Sequence, residues 1–232
     1  MRARAIRSQF RVGLCVLALA AAARTAAAQT PSSPGPPTYK GGAMPVVQVL
    51  GVGGGEVVLE VTVDETGRVA AIRPLRTTAP FAENLTAAVQ GWHFDPARER
   101  KIDETGASRL VPVAAKIVVA GFFRPPAVNG PTLGEPIRSL GASSPDAPSV
   151  LRSVMPPYPI TAAMPGDVLA EVDIDARGRV SARAVRSTPP FDDVALSTLR
   201  TWEFAPARIA GEPVASRAYV YFNFPAPVIT AK

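Results

Sequence analysis

"WHFDPAR" at Trp92–Arg98 and "WEFAPAR" at Trp202–Arg208 agree at five of seven positions. Two rare aromatics, a proline, an alanine and an arginine recur in one order. Extending the comparison outward tests whether the phrase is a coincidence or part of a duplicated unit. Upstream, "GEVVLEVTVDETGRV" (Gly55–Val69) lies over "GDVLAEVDIDARGRV" (Gly166–Val180). Downstream, "PVAAKIVVAGFF" (Pro112–Phe123) matches "PVASRAYVYFNF" (Pro213–Phe224). The spacing slips by one residue between the upstream blocks and the tryptophans. The first copy also takes in nine extra residues between Pro96 and Pro112, an insertion that belongs in a surface loop.

Within each copy the apolar pattern changes period. Val57, Leu59, Val61 and Val63 alternate with Val58, Glu60, Thr62 and Asp64. Val168, Ala170, Val172 and Ile174 alternate with Leu169, Glu171, Asp173 and Asp175. Period two with β-branched residues predicts a half-buried strand. "DETGR" and "DARGR" follow, with Asp for local backbone hydrogen bonds and Gly for positive φ, so both are hairpin turns into a second strand. Then Phe81, Leu85, Ala88, Val89 and Trp92 share one helical face, as do Phe191, Val194, Ala195, Leu199 and Trp202. A last strand runs through Ile117 to Phe123 or Ala218 to Phe224. Val220, Phe222 and Phe224 share a face there, opposite Tyr219, Tyr221 and Asn223.

The expected fold class is α+β: two tandem two-layer domains, each a small antiparallel sheet of about three strands packed by one or two helices. The boundaries read as a signal peptide over 1–28, a short Pro/Gly-rich segment over 29–43, and a first domain over 44–123. A Pro/Gly/Ser-rich linker covers 124–152 and a second domain 153–226. On this reading the domains are tethered rather than fused.

The first 28 residues have a basic start, an apolar run from Val12 to Ala23 and small residues at Ala26–Ala28, the order of a cleaved secretory signal. The apolar run is shorter than the roughly 20 residues that cross a bilayer comfortably. An uncleaved inner-membrane anchor is the alternative. Cleavage after Ala28 takes five arginines and no acid, so the formal charge falls from +6 to +1. Bulk charge then argues against a nucleic-acid partner. Cys15, the only cysteine, leaves too, and with it any disulfide or thiolate.

"PPYPITAAMPGDVLAEVDIDARGRV" (Pro156–Val180), "WEFAPARIAGEPV" (Trp202–Val214) and "YVYFNF" (Tyr219–Phe224) resemble the C-terminal domain of TonB, the protein that energises outer-membrane transporters of Gram-negative bacteria. Tyr158-Pro159, Gly166, the Asp175-x-x-Gly178 turn and Trp202-x-Phe204-x-Pro206 with Arg208 stand in the family's order. The first copy keeps Trp92, Phe94, Pro96 and Arg98 but has no Tyr-Pro pair before Gly55, and resembles a divergent TonB-like domain. The resemblance implies a non-enzymatic role in the periplasm. The exposed edge of the last strand would pair with an extended peptide, the TonB box of a transporter. Carried over, that edge is Arg217, Ala218, Tyr219, Val220, Tyr221, Phe222, Asn223 and Phe224. Where family members carry Gln before Pro-x-Tyr-Pro, this chain has Met155. The brief "TPSSPGPPTYK" (Thr30–Lys40) is a poor spacer for crossing the periplasm, so a soluble adaptor fits better than a motor-linked transducer.

The residues do not suggest catalysis, and no cofactor or metal is expected. His93, the only histidine, has Glu203 in its place in the other copy, and no Ser-His-Asp set recurs. Asp173 and Asp175 share a strand face, but the turn accounts for Asp175. "GVGGGE" (Gly51–Glu56) precedes a strand, not a helix, and lacks the setting for phosphate. Trp92, Phe94, Trp202 and Phe204 read as seals between helix and sheet. Arg98 and Arg208 stay open between local structural roles and clasping a carboxylate. Self-association of the two edge-bearing copies is the remaining alternative to peptide binding.

Overall fold

Nine-residue runs of Val, Leu and Phe form the longest strands, and the tight turns between them set which ones are neighbours. The structure, a computed structural model, describes residues 34–47, 53–125, 137–138, 140–159, 162 and 164–226. The signal segment read at 1–28 lies outside the described residues, as does linker stretch 126–136. The first copy comprises β1 (Thr38–Gly41), β2 (Gly55–Val63), β3 (Val69–Arg76), α1 (Phe81–Gln90), β4 (His93–Asp95), β5 (Ala97–Ile102), β6 (Ser108–Val113) and β7 (Ala115–Phe123). After β8 (Ile137–Arg138), the second copy comprises β9 (Ser149–Ser153), β10 (Gly166–Ile174), β11 (Val180–Ser187) and α2 (Phe191–Leu199). It ends with β12 (Glu203–Ala205), β13 (Ala207–Ile209), β14 (Glu212–Val214) and β15 (Ser216–Phe224).

Each copy supplies three antiparallel strands and one helix, but the expectation of two separate sheets is corrected. The six strands form one sheet in the order β11-β10-β15-β7-β2-β3, with β15 and β7 side by side and parallel. The described residues fall in a single unit, Ser32–Lys232, so the copies are fused rather than tethered. When two related halves meet through parallel strands, the rotation relating them runs along the strands and turns one half over. The helices therefore cover opposite faces.

Burial follows from that inversion. Phe191, Ala195 and Leu199 of α2 share a core with Val168, Ala170, Val220 and Phe222, and also with Val58, Val118, Ala120 and Phe122 of the first copy. Phe81, Leu85 and Val89 of α1 pack with Leu59, Val61 and Val119, and with Leu169, Tyr219 and Tyr221 of the second. Strands expected to be half-buried are buried on both faces, as central strands of a covered sheet are.

Two sequence irregularities find local solutions. The one-residue slip is a β-bulge: Val63 faces Val69 and Thr62 faces Ala71, leaving Ala70 over, whereas Ile174–Val180 and Asp173–Ser181 pair without interruption. The nine-residue insertion lengthens the β5–β6 hairpin, whose Asp103 closes the turn by accepting from the Thr105 and Ala107 amides.

The linker is also more than a tether. Leu140 and Ala147 are buried, and β9 pairs with β12 on one side and β8 on the other. β1 takes the corresponding place beside β4 in the first copy. Trp92 donates its indole N–H to the Ala43 carbonyl at 2.8 Å, and Trp202 donates to Val154 at 3.0 Å. The two tryptophans pin the lead-in segments of their copies.

Shared cores make the copies unfold together. Phe122 lies edge-on to Trp202 at 4.8 Å and touches Phe222, so it completes the second copy's core from the first copy's strand. Phe122→Ala should cost about 3–5 kcal/mol, and calorimetry should record one transition at a lower midpoint. A separate second-copy transition at an unchanged temperature would contradict this fusion.

Candidate functional site

The resemblance points to the backbone of Arg217–Phe224, which the structure places in mid-sheet. On one side Ser216–Phe224 pairs antiparallel with Gly166–Ile174; on the other, Ala218–Asn223 pairs parallel with Val118–Phe123. The Asn223 carbonyl also accepts from Arg124 N–H at 3.2 Å. The expectation of a free final edge is therefore corrected, because the first copy's last strand is paired along it. Ala218, Tyr219, Val220, Tyr221, Phe222 and Phe224 are buried, and Asn223 is half-buried.

Arg217 belongs to a polar cluster on the face that carries α1. Its guanidinium lies 2.6 Å from Asp173 and 3.5 Å from Glu171, and donates to the Thr38 hydroxyl and the Pro37 carbonyl. Tyr219 accepts from the Tyr39 amide at 2.8 Å and directs its hydroxyl at Glu171 and Pro37. Burial, then the Glu171 charge, pushes the Tyr219 phenol far up, so it stays neutral. These contacts fasten the lead-in segment across the second copy's sheet.

The first copy carries a counterpart on the opposite face. Glu60 is 5% exposed and accepts from Arg73 at 2.7 Å, from the Ser144 amide at 2.6 Å and from the Ser144 hydroxyl at 2.7 Å. Lys116 stands 3.8 Å away and bonds Asp146. Ser144 and Asp146 belong to the linker, which thus covers the first copy as Pro37–Tyr39 cover the second. Burial alone would raise the Glu60 carboxyl, but the hydrogen bonds from Arg73 and Ser144 outweigh it and hold the group at about 2. Glu60 and Glu171 stand on the faces that alternate with the apolar residues of strands expected to be half-buried. A buried carboxylate needs charged partners on adjacent strands, and Arg73, Lys116, Arg183 and Arg217 were the available signal.

The motif residues mostly support this architecture. Tyr158 packs edge-on to Phe191 and Phe224 and donates to the Met164 carbonyl at 3.1 Å, beside buried Pro159. Gly166 lies flat under the Phe191 ring, where a Cβ would collide. Asp175 accepts from the Arg177 and Arg179 amides at 2.8 and 2.9 Å, and Gly178 follows at φ +79°, the turn that the pattern predicts. Trp202 and Phe204 stack, while Trp92 and Phe94 pack around Tyr39. Pro96 and Pro206 begin the hairpins β5–β6 and β13–β14. Arg208 donates its side chain to Gly211 of its own hairpin and its amide to Pro145. Arg98 exchanges backbone bonds with Gly35. His93 is exposed on β4.

Among the described residues two strands of the sheet keep an unpaired side. They are β3 and β11 at its ends. β3 is interrupted by Pro74, and the linker lies close to it at Gly141 against Leu75. β11 has no proline and a single irregularity, between Leu169 and Ala170 of its neighbour. Among the described residues no helix is long and apolar enough to cross a membrane.

Comparison with known proteins agrees with the sequence recognition for the second copy. Residues 155–225 match the family described as the Gram-negative bacterial TonB protein C-terminal. No curated protein and no solved structure matches the chain. The matched family is a non-enzymatic interaction domain of periplasmic or membrane-anchored proteins linked to TonB-dependent transport.

The Glu60 cluster predicts an acid-dependent stability. Its carboxyl titrates lower in the fold than in the open chain, so its contribution is complete above the ordinary carboxylate range near pH 4.5 and disappears as pH falls toward 2. Because Arg73 is half in solvent, the effect is on the order of 2 kcal/mol rather than the full linkage value. Glu60→Gln should destabilise the protein by that amount at pH 7 and flatten the pH 4.5 to 2 slope in denaturant melts. An unchanged slope would remove the carboxylate from this role.

Proposed function

We propose that the chain is an exported, non-enzymatic TonB-like adaptor. It recognises extended peptide segments of outer-membrane transport partners by strand pairing while its own central sheet stays closed. The carrying observation is the family match over Pro156-x-Tyr158-Pro159 to Phe224, in a sheet whose final strand is occupied and whose outer strands, among the described residues, are not. The first copy, with the same strand-turn-strand-helix-strand order, reads as a divergent TonB-like unit that fills the docking edge of the second. Strand addition suits this role because main-chain groups supply the bonds and little side-chain complementarity is needed.

Closed docking is favoured over exchange at the seam. A peptide replacing Val118–Phe123 would recover main-chain bonds but strip Phe122 from the Trp202 and Phe222 rings and Phe123 from Tyr221. Losing such aromatic burial costs several kcal/mol. One specific observation favours a second reading, a structural protein whose copies serve mainly to hold each other: the parallel seam already satisfies both final strands.

A cross-linked seam separates these readings. Ala120 and Val220 are register partners, and parallel neighbours stand about 4.8 Å apart, within disulfide reach. The chain carrying Ala120→Cys with Val220→Cys should still bind TonB-box peptides saturably when oxidised. Binding that vanishes on oxidation and returns on reduction would place docking at the opened seam. Absence of binding to transporter segments in both forms leaves only the structural reading. N-terminal sequencing of the native protein should begin at Gln29; retention of Met1–Ala28 would instead support a membrane-anchored transducer.

A further inference from the structure

The two outer strands are equivalent in the repeat, yet only one is equipped to receive another chain. Pro74 in β3 faces Leu59, and its counterpart in β11, Ala184, faces Ala170. Proline has no N–H, so at an edge that position turns its nitrogen away from the sheet. By the same register the Ala184 N–H points outward, and Ala182 and Val180, two and four residues earlier, share its orientation. In β3 the equivalent row is broken by Pro74, and a proline on an edge blocks further pairing. In β11 it is intact, and its members are Val180, Ala182 and Ala184.

The charges differ in the same sense. In the first copy, Arg76 lies 3.2 Å from Glu56 and Arg73 2.7 Å from Glu60, so both edge arginines are neutralised. In the second, Arg183 answers Glu171 at 2.7 Å, but Arg186 has no ion-pair partner among the described residues. Asp167, which stands where the first copy has Glu56, is engaged by the Thr188 and Tyr221 hydroxyls. Arg177, exposed in the turn before β11, is likewise without a carboxylate among the described residues. From Arg177 to Ser187 the chain carries four arginines and no acid.

Resting on the strand-pairing function above, we propose that the outer edge of β11, Val180–Ser187, is the docking edge, and that its partner is an extended, proline-poor segment with acidic side chains at alternate positions. Main-chain groups of Val180, Ala182 and Ala184 pair with the segment. Arg186 and Arg177 meet its carboxylates at the two ends of the strand. Backbone pairing sets the register, and the unneutralised arginines select for acidic sequences.

Fluorescence anisotropy on the full chain tests this with a labelled peptide alternating glutamate and valine, against the same peptide with lysine for glutamate. The acidic peptide should bind saturably and the lysine peptide about tenfold more weakly or worse. Ala184→Pro should abolish binding while leaving the melting transition in place, since β3 accommodates proline at the equivalent site. Arg186→Glu should weaken the acidic peptide about fivefold or more and spare a glutamine version. N-methylating alternate peptide residues, which removes donors without touching the protein, should also abolish binding, so the result holds even if the proline variant misfolds. Undiminished binding to folded Ala184→Pro would overturn the assignment of this edge. So would failure of the acidic peptide when TonB-box peptides still bind the seam-cross-linked chain, and in both cases the strand-pairing function itself would survive. A concentration-dependent dimer that Ala184→Pro dissolves, with no peptide binding, would give the edge to a second copy of the chain and overturn the acidic occupant.

Discussion

The parallel pairing of Val118–Phe123 with Ala218–Asn223 is the constraint on which the rest of the molecule depends. Antiparallel joining would have left both helices on one face of a six-stranded sheet. Parallel joining turns one half over, so each helix closes one face and each face draws side chains from both copies. Phe122 enters the core under α2, while Tyr219 and Tyr221 enter the core under α1. Neither copy has a complete hydrophobic core without the other, and their stability is therefore a common property.

Inversion also brings the second face of the four nine-residue strands under cover, including two glutamates in mid-strand. The fold solves that problem twice with one plan. Glu60 and Glu171 each receive an arginine from the neighbouring hairpin strand and a cation from the seam strand. Each is then capped by a lead-in or linker segment, through Ser144 for one and through Pro37–Tyr39 around Tyr219 for the other. Buried charge of this kind costs heavily unless every lone pair is met, which is why stretches poor in apolar residues are held in place.

An edge that pairs with a foreign strand is also a hazard for aggregation, and proteins manage edges with prolines, charges and covering segments. The six-stranded sheet closes its final strands against each other. It interrupts β3 with Pro74 and leaves β11 lined with arginines. The two copies thus become unequal: their final strands close on each other in a seam, and among the described residues the outer side of β11, unlike β3, carries no proline and keeps Arg186 outside any ion pair.

Much of this was legible in the sequence. Period-two runs at Gly55–Val63 and Gly166–Ile174, the Asp-x-x-Gly turns, the helical faces from Phe81 and Phe191, and the Trp-x-Phe-x-Pro-Ala phrases determined the elements and their order, because local periodicity and turn chemistry act over a few residues. The near-continuous apolar run of "AKIVVAGFF" (Ala115–Phe123) fits a strand covered on both faces, whereas the expectation from the resemblance was a free final edge. Only the tertiary structure decided that its neighbour would be the other copy's last strand, in parallel, and so which edge is closed and which is open. Strand neighbours a hundred residues apart leave no local trace in the chain, since backbone hydrogen bonding is indifferent to which strand supplies the partner, and the choice is made by how two half-finished cores complete each other.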